Sequence, residues 1–325
     1  MQVDFHTICH RLSLGSLLDA PRPLSGGYMH RMFALHTTQG RYAVKLLNPD
    51  VMARPTAMNN YRQAEAFEAL LEERGLPILP ALTIGGQKMQ RIDGQYLYVF
   101  EYVDGRALQD GEITPAHCAA MGSVLAQIHA LCHREAPEEA AEPLPDWPPL
   151  IAGLLRDPES AVEGTRMHCA LPMLLQLTRK AALAALQLPK VQALCHNDMD
   201  AKNVLWQGDT FRIIDLECLN WGNPLQEMLD LAIFWAGWPQ DQQRFTAFVK
   251  GYREAGGALP ADASALYFSR RNHLDWLAAS AVRALHPDPA QRQLGRRQIH
   301  ETLDKLASDQ KHAEQILRWL QEAAE

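Results

Sequence analysis

Cysteine is sparse in this 325-residue chain, and its 6 cysteines are scattered along it. No two of them stand in the C-x-x-C spacing that is typical of zinc and redox sites. We therefore expect reduced and largely buried thiols, which is the usual state of cysteine in a cytoplasm. A zinc site built on these residues is disfavoured.

Long hydrophobic runs and a targeting segment are also lacking. No apolar run approaches the ~20 residues that are needed to cross a membrane. Residues 1–6 have neither the basic start nor the hydrophobic stretch of a signal peptide. These absences predict a cytoplasmic protein with no membrane partner.

An excess of positive charge is absent as well, since the formal net charge is -7. Nucleic acid is therefore not expected as a partner. The imbalance lies in residues 101–163, which contain 12 acidic and 3 basic residues. Such a block attracts a cationic small molecule, although the Pro/Glu-rich run 135–142 is also typical of a solvated loop.

Strand patterns dominate the first hundred residues, with one helix among them. Residues 32–35 and 42–46 are strand-like on either side of a polar turn, which predicts a hairpin. Residues 59–74 have the pattern of a helix that is ended by Gly75. A hydrophobic strand is expected over 95–103.

After residue 103 the pattern becomes helical. Apolar residues recur at helical spacing over 115–131, and two further helices are expected within 150–188. Asn223 and Pro224 are typical of a helix start. The order of elements predicts an α+β fold, with a small antiparallel sheet lobe over 1–103 and a larger, mainly helical lobe over 104–325.

The segment after residue 195 carries the most specific pattern. His196, Asp198 and Asn203 form H-x-D-x-x-x-x-N, and two short strands joined by a turn lead to Asp215. In kinases this spacing brings an aspartate to the acceptor hydroxyl, and an asparagine and a second acid to Mg²⁺. We predict Asp198 as the catalytic base and Asn203 and Asp215 as metal ligands, because Mg²⁺ prefers hard oxygen donors.

Lys45 ends a strand that is close to V-A-I-K, whose lysine contacts the α- and β-phosphates of a nucleotide. A lysine in that place requires a carboxylate on the next helix, where Glu65 and Glu68 stand. The position along the helix favours Glu65, which we predict as the partner. The helical phase favours Glu68, which stays the alternative.

Backbone groups are expected to complete the nucleotide site. The turn Ser25-Gly26-Gly27 is able to bring N–H groups to phosphates, although it is not G-x-G-x-x-G. The main chain from Glu101 to Val103 is expected at the adenine edge, if Asp104-Gly105 is the hinge.

Four further residues are predicted to support this site. His196 is expected to brace the loop, and Lys202 either offsets γ-phosphate charge or faces solvent. Glu217 either touches a metal through water or has no such role. Asp230 is expected to fix the loop structurally.

Taken over nearly its whole length, the chain resembles the aminoglycoside phosphotransferase and choline kinase-like superfamily. The resemblance depends most on His196-Asn197-Asp198, Asn203-Val204-Leu205 and Ile214-Asp215-Leu216-Glu217. It implies a protein kinase-like fold in which the first lobe binds ATP or GTP with Mg²⁺. The second lobe would carry catalysis and the binding of a small hydroxylated acceptor, in a monomer or homodimer.

The acceptor is the open question. The family usually has glycine where Asn197 stands, and often H-P-G in place of Asp200-Ala201-Lys202, which indicates a side branch. The acidic block favours a cationic aminoglycoside-type antibiotic, and hence a resistance function. A metabolic acceptor such as choline, ethanolamine, a sugar or an amino alcohol is the alternative, and a catalytically silent nucleotide-binding regulator is the third hypothesis.

Overall fold

The chain divides into two compact units, each of which is packed within itself. The first comprises Met1–Ile113 with Leu194–Trp221, and the second comprises Thr114–Ala193 with Gly222–Glu325. The lobe boundary expected between residues 103 and 104 stays a prediction. The computed structural model describes residues 4–24, 30–136, 143–237 and 241–324.

A five-stranded antiparallel sheet is the base of the first unit, in the order β1-β2-β3-β5-β4. Its strands are β1 (Arg22–Leu24), β2 (Arg31–Thr37), β3 (Gly40–Leu46), β4 (Gln90–Ile92) and β5 (Gln95–Glu101). β2 and β3 form a hairpin in which Thr37 is paired with Gly40. The hairpin predicted from the sequence is therefore confirmed.

Three helices accompany this sheet: α1 (Phe5–Arg11), α2 (Pro49–Met52) and α3 (Ala57–Glu73). Asp4 caps α1 by accepting a hydrogen bond from the backbone N–H of His6. α3 is the helix predicted over 59–74, and the chain leaves it through Gly75, whose φ of +68° lies in the left-handed region that favours glycine.

The two faces of the sheet are buried differently. Val44 on β3 packs in a cluster with Ile8 of α1, Leu35 and Leu97. Because side chains alternate along a strand, the neighbouring Lys45 points to the opposite face. On that side Tyr61 of α3 and Tyr98 of β5 belong to a second apolar cluster, so the lysine is placed beside α3.

The later part of the first unit is a hairpin of β8 (Val204–Gln207) and β9 (Thr210–Ile213), followed by β10 (Asn220–Gly222). Main-chain hydrogen bonds join it to the earlier part. The Ile213 N–H donates to the carbonyl of Pro77 at 2.8 Å, and Arg106 and Trp206 exchange bonds of 3.0 and 2.9 Å. These bonds hold the hairpin of β8 and β9 against the chain segments at Pro77 and Arg106.

Helices dominate the second unit, which also contains the antiparallel pair β6 and β7. One core, which includes Trp147, Leu174, Leu277 and Ile299, is shared by four helices. They are α5 (Trp147–Arg156), α6 (Ala161–Gln187), α9 (Ser264–Arg283) and α10 (Pro289–Ala324). The predicted α+β architecture is confirmed. The other elements are α4 (Pro115–Leu131), β6 (His133–Glu135), β7 (Val191–Cys195), α7 (Pro224–Trp235) and α8 (Gln242–Glu254).

Among the described residues, α6 alone is long and apolar enough to cross a membrane, by length and composition. The sequence analysis expected no segment of this kind, so α6 differs from that expectation. Leu174, Leu177 and Ala181 of α6 are buried in the core with α9 and α10. Only 22% of its apolar window is buried, and Leu175, Leu183 and Leu186 on the same helix are exposed.

Candidate active site

The loop that follows β7 carries the H-x-D-x-x-x-x-N pattern, and the side chain of His196 supports it from the protein interior. This side chain is fully buried, and its Nδ1 accepts a hydrogen bond of 3.3 Å from the backbone N–H of Asp198. The contact supports the predicted bracing role. It fixes the main chain at the residue that would meet an acceptor.

Asn197 occupies a position that most side chains avoid. Its φ of 63° lies in the left-handed region, which asparagine tolerates better than other non-glycine residues. Its Nδ2 donates to the carbonyl of Cys218 at 2.9 Å. The amide therefore ties the loop of Asp198 to the loop of Glu217, a link that the sequence pattern did not reveal.

Asp198 is oriented by two residues of its own loop. The Nδ2 of Asn203 donates to the Asp198 carbonyl at 2.8 Å and to its Oδ2 at 2.9 Å. The Nζ of Lys202 lies 3.2 Å from Oδ1 and 3.3 Å from Asp200. Because the amide nitrogen of Asn203 is used, its Oδ1 is the atom left for a cation.

Asp215 follows β9 in a left-handed conformation, with φ of 62°. This turn brings its carboxylate back to the sheet, where Oδ1 lies 2.6 Å from Lys45 Nζ. The same ammonium lies 2.6 Å from Oε2 of Glu217. Lys45, Asp215 and Glu217 therefore form one ionic cluster, although 170 residues separate the lysine from the aspartate.

Burial and charge oppose each other in this cluster. Burial disfavours the ammonium form of Lys45, but Glu217 and Asp215 outweigh it, and the pKa of the lysine is raised. Burial likewise disfavours the carboxylate of Glu217, whereas the hydrogen bond with His30 and the charge of Lys45 lower its pKa. The cluster therefore sets two acidic side chains against one lysine, so that a single ammonium balances one of the two carboxylates.

The predicted pairing of Lys45 with Glu65 or Glu68 is wrong in this structure. Glu65 Oε1 accepts from the Tyr98 hydroxyl at 2.8 Å. Glu68 Oε1 accepts from Lys88 at 2.6 Å and from the Ala81 N–H at 2.8 Å. Glu65 and Glu68 are thus engaged by other donors, while the lysine contacts Asp215 and Glu217.

Two residues that the sequence analysis missed surround Glu217. His30 lies at the entry to β2, and its Nε2 is 3.2 Å from Glu217 Oε1. The Tyr61 hydroxyl is 3.1 Å from the same ring nitrogen. Neither residue belongs to a recognisable motif, so local pattern gave no signal for them.

The oxygen donors fit a divalent cation of the magnesium type. Asn203 Oδ1 and the carboxylates of Asp215 and Glu217 are hard ligands, and all three residues belong to the first unit. In this arrangement Lys45 supplies the positive charge beside the two acids. Mg²⁺ as the bound ion stays a prediction.

The other residues predicted for the site lie outside the loops of Asp198 and Glu217. Glu101 ends β5 and is exposed, and Val103 follows it; their role at an adenine edge stays a prediction. Ser25, Gly26 and Gly27 lie outside the described residues. Asp230 is in α7 of the second unit, where it accepts a short hydrogen bond from the Ser269 hydroxyl, and burial raises its pKa to about 6.

Comparisons with known proteins agree with the geometry. The model of the phosphotransferase enzyme family matches residues 21–268. Homoserine kinase from Methylobacillus glycogenes is 25% identical over 254 residues, which are 74% of this chain and 71% of that protein.

Solved structures resemble the chain in fold. A spectinomycin phosphotransferase in complex with ADP and spectinomycin has a TM-score of 0.67 at 14% identity, covering 93% of this chain and 97% of that one. An amicoumacin kinase in complex with AMP-PNP, Ca²⁺ and its ligand has a TM-score of 0.60 at 14% identity, covering 93% and 94%. At this identity the likeness shows the fold, and the predicted kinase-like architecture is confirmed.

Proposed function

Because this chain belongs to the phosphotransferase enzyme family, we propose that it moves the γ-phosphate of ATP to a hydroxyl of a small molecule. The observation that carries the proposal is the ionic cluster of Lys45, Asp215 and Glu217 in the same unit as the Asp198 loop. A silent nucleotide-binding regulator would be expected to have lost the base or a metal ligand. Asp198, Asn203 and Asp215 are all present.

Asp198 is the proposed base. Its carboxylate is fixed by the amide of Asn203, which suits a group that must accept or orient the acceptor proton. Lys202 lies at the same carboxylate and would offset negative charge on the phosphoryl group during transfer. Most of the catalysis would then be positioning and electrostatics.

The nucleotide would bind with Mg²⁺. The ion, when bound, neutralises phosphate oxygens, and Asn203, Asp215 and Glu217 are its proposed ligands. Lys45 would contact the α- and β-phosphates. The ATP analogue and Ca²⁺ in the amicoumacin kinase complex support a nucleotide with a divalent cation; GTP is the alternative nucleotide.

An aminoglycoside-type antibiotic is the first proposed acceptor, as the family resemblance suggests. The charge argument for it is weaker than the sequence indicated, because several acids of residues 101–163 are neutralised. Asp104 pairs with Arg41 and Glu159 with Arg292, and both of these arginines lie outside the block.

A metabolic amino alcohol is the second proposed acceptor. The match to homoserine kinase is a sequence match over most of the chain, whereas the antibiotic kinases share 14% identity. Homoserine carries an ammonium, a carboxylate and a hydroxyl, so the two proposals share a hydroxyl near an ammonium group but differ in the net charge of the acceptor. We expect the enzyme to act in the cytoplasm as a monomer or homodimer.

The test is release of ADP and GDP by purified protein with Mg²⁺ across aminoglycosides, homoserine, choline, ethanolamine and sugars. Asp198→Ala and Asp215→Ala serve as blanks, and both are expected to abolish turnover while the fold is retained. Mass spectrometry of the product would locate the phosphate. Turnover with an aminoglycoside alone supports a resistance enzyme, and turnover with a metabolite alone supports a metabolic kinase. Near-normal turnover in either variant would refute the assignment.

A further inference from the structure

His30 is a buried histidine whose two ring nitrogens both have defined neighbours. Its side chain is almost inaccessible. Nδ1 lies 3.0 Å from the backbone N–H of Asn48, just before α2. Nε2 lies 3.2 Å from Oε1 of Glu217 and 3.1 Å from the hydroxyl of Tyr61.

The Asn48 contact determines the tautomer of the ring. A backbone N–H is able only to donate, so Nδ1 of His30 must be the acceptor and carry no proton. The proton of the neutral ring is therefore on Nε2, which faces the carboxylate. His30 is thereby built as a donor to Glu217.

Both oxygens of Glu217 are held in this way. Oε1 faces His30, and Oε2 lies 2.6 Å from Lys45. The Tyr61 hydroxyl also contacts this carboxylate. Because the histidine immediately precedes β2, the tyrosine lies in α3 and the lysine lies in β3, three separate parts of the chain determine where the carboxylate points.

We propose that His30 is a positioning residue that orients Glu217 as a ligand of the divalent cation. The proposal rests on the proposed function, since it takes Glu217 to be a ligand of the ion that accompanies the nucleotide. Partners that hydrogen-bond a metal-binding carboxylate fix its direction and strengthen binding. Here the histidine acts on the carboxylate, and has no contact of its own with substrate in the mechanism.

Two substitutions separate this role from a purely structural one. In His30→Asn, Oδ1 takes the place of Nδ1 and still accepts from Asn48, but nothing reaches Glu217. In His30→Gln, the carboxamide is able to place an acceptor and a donor about as far apart as the two ring nitrogens. The glutamine variant is therefore the conservative control.

The readout is Mn²⁺ binding by the nucleotide-free protein, measured from the electron paramagnetic resonance signal of the free ion. His30→Asn is expected to weaken binding by about tenfold, as removal of a partner of a metal ligand usually does. His30→Gln is expected to stay within about threefold of the unmodified protein. Glu217→Gln should weaken binding at least as much as His30→Asn, and the double variant no further.

Activity provides the second readout once an acceptor is known. His30→Asn should raise the Mg²⁺ concentration that is required for half-maximal activity, and also the KM for Mg·ATP. Both should change by a larger factor than kcat. Urea unfolding of the metal-free variants reports the structural loss separately. Mn²⁺ binding by His30→Asn that equals that of the unmodified protein, or a glutamine variant as weak as the asparagine variant, would overturn the proposal. Because the binding assay needs no acceptor, failure to find phosphate transfer would refute the proposed function alone.

Discussion

Asn197 shows how one residue connects the two loops of the site. The family that the chain resembles usually has glycine at this position. The left-handed backbone, with φ of 63°, explains that preference. Asparagine retains that conformation and adds the hydrogen bond to Cys218. The loop of Asp198 and the loop of Glu217 are thus joined by a side chain that glycine does not have.

Two substitutions of Asn197 separate the effect of its backbone conformation from the effect of its side-chain hydrogen bond. Asn197→Gly relieves the backbone but removes the bond to Cys218, so turnover should fall while folding is retained. Asn197→Ala loses the same bond and must also adopt the left-handed region, so it should be about 1 kcal/mol less stable than the glycine variant. Urea unfolding of both variants is the measurement. Equal stabilities would show that the backbone at this position relaxes freely.

The motif residues could be identified from the sequence, but the partners of their side chains could not. Asp198, Asn203 and Asp215 stand in a motif, and the structure brings Asp198 and Asn203 into contact. The partner of Lys45 was mispredicted because that contact is decided by packing between segments 170 residues apart. His30 is invisible in the sequence for the same reason, since its neighbour is Glu217.

At the scale of elements, the helices α4 and α8 approach each other through glycine. A Cβ at Gly122 of α4 would lie 2.1 Å from the carbonyl oxygen of Phe248. A Cβ at Gly251 of α8 would lie 2.2 Å from the carbonyl oxygen of Ala119. Backbone atoms cannot move aside as a flexible side chain does, so both glycines are required by the close approach.

Gly122→Ala is therefore expected to destabilise the fold by about 3 kcal/mol, at the upper end of the usual cost of overpacking. Gly153→Ala is the matched control, because the nearest atom to its added Cβ is the flexible end of Leu285 at 3.2 Å. That control should change stability by less than about 1 kcal/mol, since alanine also favours the helix. Thermal unfolding of the two variants tests this, and equal shifts would contradict the packing argument.

Helix ends were predicted well where a cap or glycine marked them. Asn223 caps α7 by accepting from the N–H groups of Leu225 and Gln226, as the sequence indicated. α4 begins at Pro115 and ends at Leu131, as predicted from its apolar spacing. The short helices α1 and α2 were missed, because 7 and 4 residues are too few to show a periodicity.

At the scale of the whole molecule, Asp230 couples stability to pH. Burial raises its pKa from 3.8 to about 6, although Ser269 and Arg270 act in the opposite sense. Between these values the folded protein binds a proton that the unfolded chain does not. The contribution of Asp230 to stability is therefore present at low pH and is lost as pH rises through about 6.

Asp230→Asn should remove this dependence while still accepting the hydrogen bond from Ser269. Between pH 5 and pH 8 the unmodified protein is expected to lose about 1 kcal/mol of unfolding free energy relative to the variant. Urea unfolding at both pH values gives the comparison. Parallel pH profiles for the two proteins would show that Asp230 is ionised throughout.

The assembly of the first unit from two separate segments could not be deduced from the sequence. Residues 194–221 pack with residues 1–113, through bonds such as that from Ile213 to Pro77. Local patterns report strands, turns and caps, whereas contacts between distant segments leave no local signature. The charge of residues 101–163 is a similar case, because bases elsewhere in the chain, such as Arg41 and Arg292, neutralise acids within it.

In the proposed mechanism Asp198 acts on the acceptor, while the cluster of Lys45, Asp215 and Glu217 holds the nucleotide. The most direct test compares Asp198→Asn with the unmodified protein in two measurements, calorimetric binding of Mg·AMP-PNP and turnover with the identified acceptor. We predict an affinity within about threefold and a kcat reduced by at least ~100-fold, as expected for loss of a general base. Near-normal turnover, or a loss of nucleotide affinity as large as the loss of kcat, would contradict the account.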